Sequence, residues 1–203
     1  MITRLKYGNT NTFLLKGDRG SILIDTDYAG SLTLFYKAIK EKDVKVENIT
    51  YVLPTHYHPD HMGIVSELME QGVQLILMES QREYVHFSDK IFEKEFGSRY
   101  RPIDEYKAVS LSFADSRDFL KRLGLNGEVI PTPSHSPDSI SIILDDGNCF
   151  VGDLEPFSFI EAYDENEALK LDWDRIMSYN PKVIHYAHAN EKVINCKKGY
   201  CIS

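Results

Sequence analysis

Four side chains of types that bind divalent metals lie within six residues of one another in the first third of the chain. They are His56, His58, Asp60 and His61, in the segment Thr-His-Tyr-His-Pro-Asp-His-Met-Gly at 55–63. Neutral imidazole nitrogen and carboxylate oxygen are ligands that suit Zn²⁺ and related divalent ions. Histidines in loops often face solvent without a role, but three of the chain's seven at this spacing favour a metal site. We therefore expect this segment to bind metal.

The residues on either side predict the elements that hold this segment. The apolar run Ile-Thr-Tyr-Val-Leu-Pro at 49–54 predicts a buried strand that ends at its proline, and a helix is predicted over 61–71. In extended chain, alternate side chains share one face. We therefore expect His56, His58 and Asp60 to converge on one side of a loop.

Further ligand-type residues stand at the ends of other predicted strands. Asp25 ends an Ile-Leu-Ile run, His135 lies in a loop between two strands, Asp153 follows an apolar strand and His188 follows another. Taken singly, each has an ordinary structural interpretation, since Asp often caps turns and most lone histidines are simply hydrogen-bonded. Together they place polar ligands at several strand ends, where open α/β architectures have their sites. His185, three residues before His188, is interpreted as structural.

The rest of the chain predicts a mixture of hairpins and alternating strands and helices. Strands are predicted at 2–7, 12–16, 21–25, 73–78, 128–131, 139–144, 149–151 and 182–186, and further helices at about 31–42, 116–123 and 165–178. This mixture predicts an α/β (α+β) domain with mixed sheets and helices outside.

Residues 80–110 differ from the rest because aromatic and apolar residues recur there among charges. Tyr84, Phe87, Ile91 and Phe96 lie at helical spacing. The segment is interpreted either as a surface helix that packs this stripe on the core or as a helical cap that walls a substrate pocket.

Composition limits the function classes. With 203 residues, 42% of them hydrophobic and 27% charged, the chain is expected to form one globular domain over 1–203. Its net charge of −8 makes nucleic acid and anionic lipid poor partners. The sequence lacks the apolar segments of a signal peptide or membrane span, and its three cysteines suggest free thiols, so a cytoplasmic location is expected.

The order of these motifs resembles that of the metallo-β-lactamase superfamily. The shared features are an early strand-ending Asp25, the His-x-His-x-Asp-His block at 56–61, and then His135, Asp153 and His188. The resemblance implies a four-layer αββα sandwich with the site at its edge, between two sheets. Many members have glycines beside the last two histidines.

This chain departs from the family pattern there. It has Ser134 and Asp138 around His135, and Ala187 and Ala189 around His188. The shape of these two loops, and of the pocket they form, therefore stays open.

The resemblance also implies a division of ligands between two divalent metal ions. The first ion would be bound by His56, His58 and His135, the second by Asp60, His61 and His188, with Asp153 bridging both and Asp25 steadying the histidine loop. Seven ligands over two ions leave open positions, as catalytic sites do. Zinc is expected because the set is rich in imidazole and because diiron relatives usually have Glu where this chain has His58; iron and manganese are the alternatives.

The expected function is a metal-dependent hydrolase whose metal-bridging hydroxide attacks a small ester, thioester, lactone or amide. Asp60 would orient this nucleophile and accept its proton. Three alternatives stay open: a phosphodiesterase of the same fold, a mononuclear iron sulfur dioxygenase, and a non-catalytic metal-binding protein. The expected partner is a small-molecule substrate, with no nucleic acid or membrane. Tyr57, Tyr84 and Tyr163 are candidates for the pocket, and the oligomeric state stays open.

Overall fold

The computed structural model describes residues 1–162, 166–197 and 200–202. A first sheet contains six strands that lie side by side in chain order: β1 (Ile2–Lys6), β2 (Asn11–Lys16), β3 (Ser21–Ile24), β4 (Tyr51–Leu53), β5 (Gln74–Met78) and β6 (Val109–Leu111). The pairs β1–β2 and β2–β3 are antiparallel, and β3 to β6 run parallel. The carboxyl ends of β3 and β4 therefore lie at the same edge of the sheet.

A second sheet contains five strands, β7 (Gly127–Pro131), β8 (Ile140–Leu144), β9 (Asn148–Phe150), β10 (Val183–His185) and β11 (Lys192–Val193). Their spatial order is β11-β10-β9-β8-β7, and only β9 and β10 pair in parallel. A separate hairpin joins β12 (Asn195–Lys197) to β13 (Tyr200–Ile202). Because β9 and β10 run in parallel, Asp153 and His188 follow strands that end at the same edge.

Three clusters of buried side chains order the helices and sheets into layers. The helices are α1 (Leu32–Glu41), α2 (Pro59–Met62), α3 (Val65–Glu70), α4 (Asp89–Phe96), α5 (Phe113–Leu123), α6 (Phe159–Ala162) and α7 (Glu167–Met177). Leu14 and Leu23 face the first cluster, with residues of α1, α3 and α4. Their neighbours Phe13 and Ile22 face the second cluster, which lies between the two sheets.

The third cluster covers the outer face of the second sheet, where Ile143 and Ile184 pack with Trp173 of α7. The layers therefore run helix, sheet, sheet, helix, and the predicted four-layer αββα sandwich is confirmed. Within the described ranges, no helix has both the length and the apolar character needed to cross a bilayer.

The helix predicted over 61–71 is divided into α2 and α3. At the break, the Gly63 amide donates a hydrogen bond to the Asp27 carbonyl, 3.1 Å away. A Cβ at Gly63 would lie 2.2 Å from the Ala29 amide nitrogen, so only glycine allows this contact. The prediction of one continuous helix was wrong because spacing alone does not show this backbone approach. Asp60 and His61 consequently lie on a short helix of their own.

The aromatic stripe predicted at 80–110 is only partly the packing face. The helix α4 begins as late as Asp89, and the segment before it is irregular. Val85 and Phe92 are buried, whereas Phe87 is 58% exposed and Ile91 is 40% exposed. Helical spacing placed both residues on one stripe, but the chain is not helical at Phe87, and Ile91 lies on α4, whose buried residue is Phe92.

Candidate metal centre

The predicted ligands meet at the edge of the sandwich where strands of both sheets end. The loops after β4, β7, β9 and β10, and the short helix α2 that follows the first of them, carry them to this edge. Three overlapping groups have ligand atoms within 4.8 Å of one another: His56, His58 and His135; His56, His61 and Asp153; and Asp60, His61 and His188. The structure thus brings together the seven side chains that the resemblance named.

Imidazole nitrogens in this cluster lie at the spacing of ligands around one metal ion. His58 Nδ1 is 3.0 Å from His56 Nε2 and 3.1 Å from His135 Nε2. His61 Nε2 and His188 Nε2 are 3.3 Å apart. Zn–N bonds of about 2.0–2.1 Å in a tetrahedral site place neighbouring ligand atoms about 3.3 Å apart. The donor set and its spacing therefore fit divalent metal.

The Asp153 carboxylate lies between the two groups of histidines. Its Oδ2 is 3.3 Å from His61 Nε2, 3.8 Å from His135 Nε2 and 3.9 Å from His56 Nε2. Its Oδ1 is buried, and its 3.2 Å approach to His188 Nε2 lacks the geometry of a hydrogen bond. A buried carboxylate oxygen without a hydrogen bond is costly, and a cation compensates it.

Electrostatics separate the histidines into two kinds. Burial lowers the pKa of His135 and lowers that of His56 well below its ordinary value, which keeps their nitrogen lone pairs free. Burial also acts to lower the pKa of His61, but the carboxylates of Asp25 and Asp153 raise it to about 10. The carboxylates of Asp153 and Asp60, each 3.2 Å from His188 Nε2, raise the pKa of His188 to about 10.

The two carboxylates of the cluster stay ionised. The contact of Asp60 with His188 lowers the pKa of the Asp60 carboxyl group. Burial opposes ionisation of Asp153, but the imidazoles of His188 and His61 hold its pKa well below the ordinary value. Both therefore present the anionic form that binds cations.

Asp25 contacts the centre from behind, at the end of β3. Its Oδ1 accepts a hydrogen bond of 2.6 Å from the Thr55 amide, and its Oδ2 accepts one of 3.0 Å from the Thr55 hydroxyl. The same Oδ2 lies 3.2 Å from His61 Nδ1. One buried carboxylate thus contacts both the start of the histidine loop and the ring of His61.

Two carboxylates fix the loop around His135, where this chain departs from the family pattern. Asp138 Oδ2 accepts the Tyr57 amide at 2.7 Å, and its Oδ1 accepts the Ser136 hydroxyl at 2.7 Å. The Ser134 amide donates to Asp172 Oδ2 at 2.8 Å. The sequence already pointed to Asp138, because it lies in the same loop as His135. Asp172 lies on α7, and no local signal pointed to it.

Asn11 holds the loop around His188, where this chain has Ala187 and Ala189 in place of the family's glycines. Sequence reasoning missed this residue. Its amide nitrogen donates to the Ala187 carbonyl at 2.7 Å. Its Nδ2 donates to the carbonyls of Tyr186 and Ala189 at 2.9 Å and 2.8 Å. Asn11 therefore joins the first sheet to the loop of the second sheet that carries His188.

The remaining candidates lie outside the cluster. His185 stacks on Phe150, with ring centroids 4.6 Å apart, and its Nε2 is 2.8 Å from Asn148 Oδ1, as expected of a structural residue. Tyr57 is buried in the first core cluster, and Tyr84 lines a small cavity beside His58. Tyr163 lies outside the described residues.

Two cavities share His135 in their linings. The smaller, of about 160 Å³, is lined by His58, Tyr84, Phe87 and Pro137 among others. The larger, of about 340 Å³, includes Leu154, Pro156, Tyr186 and the ligand candidates Asp153 and His188. A substrate bound at the metal centre can extend into both.

Comparison with known proteins gives one consistent result. The sequence profile of the Metallo-beta-lactamase superfamily matches residues 5–188. The lactamase-like protein nscB of Arthroderma benhamiae is 33% identical over 147 residues, which are 71% of this chain and 28% of that protein. The atrochrysone carboxyl ACP thioesterase of Aspergillus fumigatus is 29% identical over 152 residues, 71% of this chain and 29% of that protein. The chain thus spans under a third of the length of these two relatives.

Solved structures show the same fold. An archaeal metallo-beta-lactamase superfamily protein from Sulfolobus tokodaii has a TM-score of 0.68 at 18% identity, covering 95% of this chain and 81% of its own. The B3 metallo-beta-lactamase BLEG-1 has a TM-score of 0.68 at 19% identity, covering 95% and 94%. At this identity the likeness concerns the fold alone.

Proposed function

Since the chain belongs to the metallo-β-lactamase superfamily, whose profile matches residues 5–188, we propose that it is a metal-dependent hydrolase of small thioesters or esters. Lactones and amides are further substrates for the same attack on a carbonyl carbon. The observation that carries the proposal is the Asp153 carboxylate, whose oxygens lie within 4 Å of histidines from both ligand groups. A carboxylate between two groups of histidines is the arrangement expected for two neighbouring metal ions. Surface histidines without metal would not need it.

The proposed ligands follow the two outer groups of the cluster. His56, His58 and His135 would hold the first ion, Asp60, His61 and His188 would hold the second, and Asp153 would bind both. Zinc is the proposed metal because five of the seven ligands are imidazoles. Divalent ions bound there supply Lewis-acid polarisation of the substrate carbonyl and lower the pKa of a water molecule toward neutrality.

Asp60 is the proposed proton acceptor. Its side chain is 37% exposed, so it faces the open side of the centre. Its Oδ2 lies 3.2 Å from His188 Nε2, and the Thr10 hydroxyl donates a 2.7 Å hydrogen bond to its carbonyl oxygen. An ionised, positioned carboxylate beside the attacking water can orient it and take its proton.

A thioester or ester is favoured over a phosphodiester by two observations. One similar protein is named as an acyl carrier protein thioesterase, at 29% identity. The described residues that line the two cavities include no Lys or Arg, so a phosphate would lack a side-chain counter-ion there.

The proposal is tested with zinc-loaded protein and N-acetylcysteamine thioesters, by measuring thiol release. Asp60→Asn should lower kcat by about 100-fold or more, the range that general-base catalysis contributes. Asp104→Asn is the matched control, since Asp104 is a surface residue paired with Lys107 at 2.9 Å. Full activity of Asp60→Asn would remove the proposed role of Asp60. No turnover of thioesters, esters or lactones by the wild type would refute the hydrolase itself.

Metal analysis of the same preparation separates the alternatives. Two zinc ions per chain are expected. One iron per chain, with oxygen uptake in the presence of a persulfide, would instead identify a sulfur dioxygenase. Bound metal with turnover of phosphodiesters alone would identify the phosphodiesterase.

A further inference from the structure

The smaller cavity beside His58 has an aromatic wall that no ligand of the centre contributes. Phe87 is 58% exposed, and its ring centroid is 5.7 Å from that of His58. Single exposed apolar side chains are common and signify nothing by themselves. Phe87 differs because it lies against a proposed metal ligand and lines a cavity together with Tyr84 and Pro137.

The residues on both sides of Phe87 are anchored. His86 Nδ1 is 2.8 Å from Asp89 Oδ2, and His86 Nε2 is 3.0 Å from Glu105 Oε2. Ser88 is fully buried, and its hydroxyl donates a 2.8 Å hydrogen bond to the Tyr57 carbonyl in the histidine loop. Phe87 is therefore held over the cavity by its neighbours before any ligand binds, which reduces the ordering cost of binding.

The cavity suits one small apolar group. Its volume of about 160 Å³ is roughly half that of the smallest usual ligand pockets. Its one acidic lining residue, Asp138, is turned to protein partners, since its two oxygens accept the Tyr57 amide and the Ser136 hydroxyl. The lining described therefore offers aromatic and proline surface without a free charge.

The larger cavity, of about 340 Å³, also has His135 in its lining, together with Asp153 and His188. A carbonyl at the centre has two substituents, and the two cavities can take one each. In the N-acetylcysteamine thioesters proposed above, the thiol carries the longer substituent, which must leave toward solvent and needs the larger space. The acyl group is then left for the smaller cavity.

We infer that Phe87, with Tyr84 and Pro137, forms the acyl-group subsite of this enzyme and selects small aromatic or branched acyl groups over acetyl. The inference rests on the proposed function and deepens it. Phe87 is a specificity residue and takes no part in the chemical step.

The test compares benzoyl and acetyl thioesters of N-acetylcysteamine with the zinc-loaded wild type and Phe87→Ala. The ratio of kcat/KM for benzoyl over acetyl should fall about tenfold in Phe87→Ala, because the ring loses its apolar contact. Tyr106→Ala is the matched control: Tyr106 is 90% exposed in the same segment, and its replacement should leave the ratio unchanged. Because Phe87 is itself largely exposed, its replacement should leave the protein folded.

A second measurement needs no turnover. Isothermal titration calorimetry of benzoate and acetate should show the Kd of benzoate rising about tenfold relative to that of acetate in Phe87→Ala, with no change in Tyr106→Ala. An unchanged ratio in both measurements would overturn the subsite while leaving the hydrolase in place. If Phe87→Ala altered discrimination among thiol groups only, the acyl assignment would be overturned. A wild type that hydrolyses nothing would refute the proposed function, and the calorimetric ratio would still decide the subsite.

Discussion

Asp25 has a backbone φ of +56°, in the left-handed region that few residues other than glycine, Asn and Asp adopt. This turn directs its carboxylate at both Thr55 and His61. A carboxylate next to the distal nitrogen of a ligand imidazole fixes the tautomer and the orientation of the ring. In the proposed centre, Asp25 would thus act on the metal through His61.

Asp25→Asn should weaken zinc binding about 10- to 100-fold, because an amide NH2 cannot accept the hydrogen bonds of the Thr55 hydroxyl and His61. Competition with a chelating dye measures this affinity. Asp18 is an exposed residue in the preceding turn, between β2 and β3. Asp18→Asn should therefore leave the zinc affinity unchanged. An affinity for Asp25→Asn within twofold of wild type would contradict the supporting role.

A second single residue, His86, stabilises the segment before α4 in a pH-dependent way through its contacts with Asp89 and Glu105. Burial acts to lower its pKa, but the carboxylates of Glu105 and Asp89 raise it above 6.5. A raised folded-state pKa stabilises the protein below the unfolded pKa, and this contribution is lost as pH rises through the raised value. Because the side chain is 43% exposed, solvent screens the effect.

We expect His86→Gln to reduce the free energy of unfolding by about 0.2–1 kcal/mol at pH 6 and by less at pH 9. Urea unfolding of both proteins at the two pH values gives the difference. Repeating it in 1 M salt should shrink the difference at pH 6. An equal difference at both pH values would show that the ion pairs do not stabilise the fold.

At the scale of elements, the loops after the strands depend on close backbone approaches. Gly152 has a φ of +57°, and a Cβ there would lie 2.4 Å from the Thr55 hydroxyl oxygen. The loop after β9, which carries Asp153, and the loop after β4, which carries His56, can approach only because this residue is glycine. Gly63 does the same between α2 and the segment at Ala29.

Gly152→Ala should destabilise the protein by about 1–3 kcal/mol more than Gly72→Ala does. Both positions have positive φ, but a Cβ at Gly72 meets nothing within 4 Å, so the difference isolates the clash with Thr55. Urea unfolding measures both. Zinc affinity should fall in Gly152→Ala only, and equal destabilisation by the two substitutions would show that the loops adjust without cost.

At the scale of the whole molecule, the candidate metal centre lies where the two sheets meet. Its ligand candidates follow β4 of the first sheet and β7, β9 and β10 of the second, and Asn11 ties β2 to the His188 loop. The unfolded chain lacks this arrangement of side chains, so metal would bind the folded protein in preference to the unfolded chain. Metal binding is therefore coupled to the stability of the sandwich.

Zinc at 100 times its Kd should raise the free energy of unfolding by about 2.7 kcal/mol, which corresponds to a rise in Tm of about 5–10 °C for a chain of this size. Thermal unfolding followed by circular dichroism, with and without a chelator, measures the shift. His58→Ala should reduce it, and magnesium should not reproduce it, because Mg²⁺ prefers oxygen ligands. The absence of any shift with zinc would contradict a metal centre here.

The sequence by itself indicated the fold class and the candidate ligands in two ways: local spacing grouped His56, His58, Asp60 and His61, and the order of the further motifs resembled that of a known family. Residue type decides which atoms can bind metal, and short spacing after a strand decides that His56, His58 and Asp60 lie close together. Short apolar runs bounded by turn residues also predicted most strands, since such runs are typical of buried strands.

Only the tertiary structure decided how these residues are held and what lies around them. Asp172 and Asn11 act on loops that are distant in sequence, and their partners are backbone atoms, which leave no trace in residue type. The break at Gly63 and the exposure of Phe87 depend on contacts between segments, which periodicity cannot register. The grouping of candidate metal ligands at 56–61 is thus readable from short-range spacing, while the shape of the cavities beside them follows from long-range packing.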